Sequence, residues 1–180
     1  MKPFLILQVR PNKAGDYEYK AFCQYGGLKE EETHRIEMTL TSIAGLNLDD
    51  YSGVIVGGGS PCVSEEEKDE IQIRFESELG DLFKQIIEQD KPYLGACYGF
   101  GVFADYCGGK VVQDPNYSEE VKAVDITLTE AAQTDPMTQD LPETFRAFVG
   151  HKESCVKLPE NAVLLASSKK CPNHMFRLKN

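Results

Sequence analysis

Apolar positions in this chain come in short runs closed by glycine-rich turns, and the period of each run predicts its element. Phe4-Leu5-Ile6-Leu7-Gln8-Val9 is apolar except for Gln8 and reads as a buried, parallel-type strand. Tyr17, Ala21, Phe22 and Tyr25 recur at helical spacing, and Gly26-Gly27 ends that helix. Arg35-Ile36-Glu37-Met38 is a weaker second strand. Gly53-Val54-Ile55-Val56 is a third, and Gly57-Gly58-Gly59-Ser60-Pro61 follows it. The segment from Ser64 to Gln89 predicts a long helix with a break near Gly80. Its apolar face is Ile71, Phe75, Leu79, Leu82, Phe83, Ile86 and Ile87. Ser64 and Glu67 have the spacing of a capping box, and Glu65-Glu66-Glu67 suits a solvated first turn at the positive end of the helix.

Lys91 to Ala104 contains the most informative pattern. An apolar strand ending at Leu94 meets a helical run through Phe100, Phe103 and Ala104, with Gly108-Gly109 as its stop. Between them stands Gly95-Ala96-Cys97-Tyr98-Gly99, the strand-to-helix elbow pattern with cysteine as the exposed nucleophile. The glycines allow a sharp turn and a close strand–helix approach. Cys97 then stands at a helix N-terminus, whose partial positive charge favours an anion there. Beyond Gly109 the period changes. Val112, then Val121, Val124, Ile126 and Leu128, predict strands with one solvated face. Asp135-Pro136-Met137 and Leu141-Pro142 mark a loop with a short helical turn. Phe145–Val149, Val163–Ala166 and Met175–Leu178 predict further strands. Strand and helix alternate over the first two-thirds, which implies a mostly parallel α/β sheet covered on both faces. Sites in such sheets form outside the carboxyl ends of the strands, where Gly57-Gly58-Gly59 and Cys97 both fall.

Composition narrows the function. The net charge of −10 argues against nucleic acid or an anionic membrane as a main partner. No basic-then-apolar leader pattern and no run of membrane-spanning length is visible, so the expected location is cytoplasmic. The six cysteines show no Cys-x-x-Cys spacing and read as free thiols. No zinc pattern is read, and neither a metal nor a cofactor is expected. A thiolate at an elbow attacks a carbonyl carbon, and the resulting oxyanion needs two donors. The backbone N–H of Tyr98 is one candidate. The Gly58-Gly59 loop offers the other. Of three histidines, His34 reads as a surface residue, while His151, with Glu153 two residues on, is the best-placed base by sequence alone; His174 is the third.

Several stretches together resemble class I glutamine amidotransferases, and most closely the stand-alone, GMP-synthase-like members. They are the Val-Gly-Gly-Gly loop from Val56, Gly-Ala-Cys-Tyr-Gly from Gly95, Gly-Gly-Lys-Val-Val from Gly108, Gly-His-Lys-Glu from Gly150 and Leu-Leu-Ala-Ser-Ser from Leu164. The order matches along nearly the whole chain. The resemblance implies a flavodoxin-like three-layer fold with a small antiparallel strand group in the C-terminal third, forming one domain over 1–180. It implies glutamine as substrate, hydrolysed through a Cys97 thioester to glutamate and ammonia for an acceptor synthase. Cys97 matches the nucleophile. Gly59 and Tyr98 match the oxyanion donors, with Gly58 beside them. Gly150, His151, Lys152 and Glu153 match a segment that binds glutamine, not the catalytic histidine.

In that family the catalytic pair is His-Pro-Glu after a later strand. The match here runs through Cys171-Pro172-Asn173-His174-Met175-Phe176-Arg177, and the given sequence stops at Asn180. The expectation is therefore a domain lacking its last strand and catalytic His-x-Glu, and weak in hydrolysis by itself. Gly101 stands where the family usually has Gln, Ser60-Pro61 follows the glycine loop, and Tyr117-Ser118-Glu119 replaces Tyr-Gly-Glu. Two alternatives stay open: a non-catalytic binding or regulatory relative, and another elbow-cysteine hydrolase.

Overall fold

The computed structural model describes residues 2–178. It divides into two compact units. The first runs through Pro61 and resumes from Glu65 to Phe103; the second holds Cys62–Ser64 and the chain from Ala104 onward.

The first unit is built on a four-stranded parallel sheet of β1 (Phe4–Gln8), β2 (Thr33–Glu37), β3 (Gly53–Val56) and β4 (Tyr93–Gly95), in the order β2-β1-β3-β4. The central strands β1 and β3 are covered on both faces. Leu5, Ile6, Leu7, Val54 and Val56 are all buried, which is why these stretches do not alternate. Strand order changes direction between β1 and β3, and in open parallel sheets ligands bind at that switch point, beyond the carboxyl ends. The expected α/β class with a parallel central sheet is what the structure shows.

Helix α1 spans Asn12–Gly26, five residues longer at its start than the apolar period suggests. It ends where Gly27 adopts φ 63° and donates its N–H to the Cys23 carbonyl. Helix α2 spans Glu70–Glu88 and differs from expectation in two ways. It starts later: Asp69, not Ser64, is the N-cap, accepting the Gln72 N–H at 2.7 Å. It also runs unbroken through Gly80. An interior glycine costs about 1 kcal/mol against alanine. Burial of Phe75, Leu79, Leu82, Phe83 and Ile86 gains roughly 1.5–3 kcal/mol per side chain and outweighs that cost. Ile71 and Ile87, expected on the inner face, are exposed. Helix α3, Tyr98–Tyr106, follows the elbow. Among the described residues no helix is long and apolar enough to cross a membrane.

The second unit is antiparallel. β5 (Lys110–Gln113) pairs with β8 (Glu153–Lys157). β6 (Glu119–Leu128), β7 (Thr144–His151), β9 (Ala162–Ser167) and β10 (Met175–Leu178) form a sheet ordered β10-β9-β6-β7. β8 escapes sequence reading because its Glu-Ser-Cys-Val-Lys run shows no clear alternation, yet Ser154 and Cys155 are buried. The core of the sheet is Ile126, Leu128, Ala132, Leu165 and Ala166, with Val124, Phe145 and Met175 packed against it.

Asp135 fixes the turn beside β10. Its side chain is 1% exposed, and its Oδ2 accepts the Arg177 Nε–H at 2.5 Å while Oδ1 accepts the Met137 N–H at 3.0 Å. Burial pushes this carboxyl up, but the Arg177 hydrogen bond, the Met137 N–H and the guanidinium charge together outweigh burial and hold it below its ordinary value. A depressed carboxyl contributes stability that is complete above the ordinary carboxylate range and disappears as pH falls through the folded-state value. Asp135→Asn should therefore lower the melting temperature at pH 7 and flatten its decline below about pH 4. Melting curves of both proteins between pH 7 and pH 3 check this. An equally steep acid decline in the variant would refute the role.

Candidate active site

Cys97 lies one residue beyond the end of β4, after Ala96, and immediately precedes the first residue of α3. Its φ is 55°, in the left-handed region that non-glycine residues occupy at a cost of roughly 1–3 kcal/mol. Hydrogen bonds on both sides hold it there. Ala96 donates its N–H to the Val56 carbonyl at 2.9 Å. The Gly99 N–H is shared between Ala96 O at 3.0 Å and Gly57 O at 3.1 Å, and Gly101 N–H reaches Cys97 O at 3.1 Å. Two glycines make the approach possible. A Cβ at Gly99 would run into the Val56 carbonyl oxygen, and one at Gly95 would lie 2.5 Å from Gly99 O. Tyr93 Oη adds a 2.7 Å hydrogen bond to the same Gly99 carbonyl. The result is an exposed thiol on a rigid corner. Cys62, Cys155 and Cys171 are buried, and Cys23 and Cys107 are partly so. Burial pushes the Cys107 thiol up to about 11. It does the same to Cys155, also about 11, with neighbouring Cys171 adding to the effect.

The glycine loop after β3 passes against this thiol. A methyl group added at Gly58 would sit 2.9 Å from Cys97 Cβ and 3.3 Å from its Sγ. One at Gly59 would collide with Val9. Gly57 donates its N–H to Leu7 O at 2.9 Å, tying the loop to β1. The Gly58 N–H donates to Glu18 Oε1 at 2.8 Å. Glu18, on α1, also accepts Arg10 Nε–H at 3.0 Å and Gln8 Nε2–H at 2.7 Å. Gln8 is fully buried; its second Nε2 proton goes to Gly15 O at 2.9 Å, and its Oε1 accepts Arg35 Nε–H at 2.6 Å. Arg35 in turn pairs with Asp16 at 2.7 Å. A polar chain from Asp16 to Gly58 thus shapes the loop, and every donor and acceptor of the Gln8 amide within it is used. Sequence reading missed Gln8, Arg10 and Glu18. Gln8 was visible as a polar interruption in an apolar strand. Glu18 gave no signal, since a carboxylate on a surface helix is ordinary.

Tyr98 is buried, packs edge-on against Phe75 and donates its hydroxyl to Glu76 at 2.9 Å. Glu76 also pairs with Lys68 at 2.6 Å. His34 is exposed and hydrogen-bonds Tyr51 at 2.6 Å.

In the second unit, Gly150 and His151 end β7, Lys152 is exposed, and Glu153 opens β8. The His-x-Glu spacing does not make a side-chain pair. The Glu153 carboxylate accepts the backbone N–H groups of Val63 and Ser64, both at 3.1 Å, and the Ser64 hydroxyl at 2.8 Å. Ser64, read as a helix cap, is thus bound to Glu153 instead. The His151 ring has Nδ1 at 3.1 Å from the Glu153 carbonyl and 3.2 Å from Ser154 Oγ, and Nε2 at 3.5 Å from Glu119 Oε2. His174 lies edge-on to His151 with ring centres 6.0 Å apart, and its Nε2 bonds Ser168 Oγ at 2.9 Å. Burial, followed by the charge of His151, pushes the His174 imidazole down; Glu119 opposes this. Burial pushes the Cys171 thiol up.

Comparison with known proteins places this geometry in context. The family described as "Glutamine amidotransferase class-I" matches residues 23–180. A glutamine-hydrolysing GMP synthase of Neisseria meningitidis serogroup C is 26% identical over 145 residues, covering 81% of this chain and 25% of that protein. One subunit of the glutamine-hydrolysing GMP synthase of Thermoplasma volcanium is 27% identical over 146 residues, covering 80% of this chain and 64% of its own length. The chain therefore spans about a quarter of the Neisseria protein and just under two-thirds of the Thermoplasma one. Among solved structures, a glutamine amidotransferase of Thermotoga maritima superposes with a TM-score of 0.79 at 20% identity, covering 99% of this chain and 72% of that one.

The Glu18 network generates a stability prediction. Glu18→Ala leaves the Gly58 N–H, Arg10 and one Gln8 donor without their acceptor, a charge-assisted loss of about 2–4 kcal/mol. Urea unfolding of wild type and variant measures it. A loss of about 0.5 kcal/mol or less, typical of a surface substitution, would show that the loop does not depend on this carboxylate.

Proposed function

Because the chain belongs to the class I glutamine amidotransferase family, we propose that it hydrolyses the side-chain amide of glutamine at Cys97 and delivers the nitrogen as ammonia to an acceptor synthase. One observation carries the reading: an exposed thiol on a left-handed elbow, with a glycine loop close enough that a Gly58 methyl would touch its Sγ. In the first step Cys97 Sγ adds to the amide carbon and the carbonyl oxygen becomes an oxyanion. The proposed donors to it are the N–H groups of Tyr98 and Gly59. Gly58 lends its backbone shape, since its own N–H is given to Glu18. The carbon–nitrogen bond then breaks, the nitrogen leaves as ammonia carrying the proton that the Cys97 thiol gave up, and a thioester remains. Water adds to the thioester, releasing glutamate and restoring the thiol. Glycine at 58 and 59 matters twice here, because a Cβ at 58 would occupy the space beside Sγ and one at 59 would push the loop off Val9.

The acceptor is proposed by chemistry and likeness. Ammonia released beside an activated carbonyl can aminate it, and the relatives quoted above are named as GMP synthases, one of them as a single component of a divided enzyme. Gly150, His151, Lys152 and Glu153 are proposed to take part in glutamine recognition on the strength of the family likeness alone.

Labelling tests the nucleophile without requiring full turnover. A glutamine analogue carrying an electrophilic carbon at the amide position should modify Cys97 first at neutral pH. Cys107 and Cys155, both held near 11, should stay unmodified. Glutamine at about 1 mM should slow the labelling and asparagine should not. Cys97→Ser should abolish both the label and any ammonia release. First modification at Cys23 or Cys171, or labelling indifferent to glutamine, would sink the assignment.

A further inference from the structure

We propose that Glu119, His151, Cys171 and His174, all in the second unit, form a tetrahedral binding site for a divalent cation of the zinc class. Neither the family likeness nor the proposed glutamine chemistry calls for it, and the sequence pattern carries no expectation of a metal. The four residues come from the start of β6, the end of β7 and the turn between β9 and β10. One ligand atom each of His151, Cys171 and His174 lies within 4.8 Å of the others. Glu119 faces His151 across the β6–β7 ladder, where they are paired residues.

The observation that points to a ligand is a pair of orphaned atoms. Glu119 Oε2 and His151 Nε2 are both buried, and neither has a hydrogen-bond partner among the described residues. The Glu119 side chain is 3% exposed, and its other oxygen is 3.3 Å from Lys122 Nζ. The two orphans stand 3.5 Å apart. A protonated imidazole bonded to this carboxylate would draw it to about 2.7–2.9 Å. Two ligands sharing a tetrahedral zinc at about 2.0–2.2 Å stand about 3.3–3.5 Å apart. The observed separation fits the second case.

The surrounding contacts orient the ligands as outer-shell partners do. His151 Nδ1 faces the Glu153 carbonyl at 3.1 Å, so it carries the proton and leaves Nε2 as the lone pair aimed at Glu119. His174 uses Nε2 on Ser168 Oγ, which leaves Nδ1 to coordinate. Cys171-Pro172-Asn173-His174 puts two ligands on one tight turn, a gap that zinc loops use. One sulfur, two imidazole nitrogens and one carboxylate oxygen select a borderline-soft ion such as zinc over magnesium or calcium. With four protein ligands no position is left open, so the cation would act structurally, clamping the β9–β10 turn to the ends of β6 and β7. Binding displaces the Cys171 proton to solvent.

Cobalt(II) and zinc are the probes, used on the full chain with Cys97→Ala to remove the exposed thiol. Cobalt should give a tetrahedral visible spectrum with a thiolate-to-metal charge-transfer band at one ion per chain, and zinc should displace it. Zinc should also raise the melting temperature. Cys171→Ser should abolish the charge-transfer band, and His174→Gln and Glu119→Gln should each weaken cobalt binding at least tenfold, with circular dichroism showing that each variant is folded. Should Cys171→Ser not fold, the other two variants decide. A missing charge-transfer band, a band that survives Cys171→Ser, or binding unchanged in His174→Gln and Glu119→Gln would overturn the proposal.

Discussion

The candidate site depends on how closely the backbone at Gly99 approaches the end of β3. With no Cβ at 99, the helix start can lie against the Val56 carbonyl, and the Gly99 N–H can reach Gly57 O. That contact leaves the chain two residues, Ala96 and Cys97, in which to turn from strand to helix, and Cys97 takes the left-handed conformation that results. The strain is local, while the hydrogen bonds that offset it come from two neighbouring strands. An exposed thiol and a nearby row of peptide groups therefore arise from a single packing requirement.

A second requirement is electrostatic. Glu18 presents a carboxylate to the same loop that is proposed to stabilise a developing negative charge. Such a charge would oppose the chemistry unless neutralised, and Arg10 does this at 3.0 Å. What remains is the geometric effect: the Gly58 N–H is committed to Glu18, and the orientation of the adjoining peptide planes is set. Gln8 links this arrangement to Arg35, so a buried amide in a central strand acts as the joint between helix α1 and the loop. Buried polar chains of this kind are costly when incomplete, and the groups named here are satisfied.

The second unit mixes an ordinary apolar core with an unusual polar cluster. The core of Ile126, Leu128, Ala132, Leu165 and Ala166 gives the antiparallel sheet its face. At one end of the β6–β7 pair, His151, His174, Cys171 and Glu119 gather where hydrophobic residues would be cheaper to bury. Glu119 lies beyond an irregularity in the β6–β7 register between Glu119 and Lys122, and such bulges re-aim a side chain without ending the ladder.

Period and turn chemistry were enough, from the amino-acid order alone, to mark the parallel strands, the glycine loop, the elbow cysteine and the strand Met175–Leu178, because those signals are local. A strand buried on both faces is apolar wherever no partner satisfies a polar group, and a strand-to-helix elbow must have glycine where no Cβ fits. Element boundaries were less legible: Ser64 looked like a helix cap until Glu153, 89 residues away, took its hydroxyl and N–H. β8 stayed hidden because its burial comes from a partner strand and not from its own pattern. Glu18 at the glycine loop, and Glu119 opposite His151, belong to the tertiary structure entirely. Each is a common charged residue whose role begins only when a distant backbone or side-chain group is brought within about 3.5 Å, and a hydrogen bond or shared ion has no reach beyond that distance.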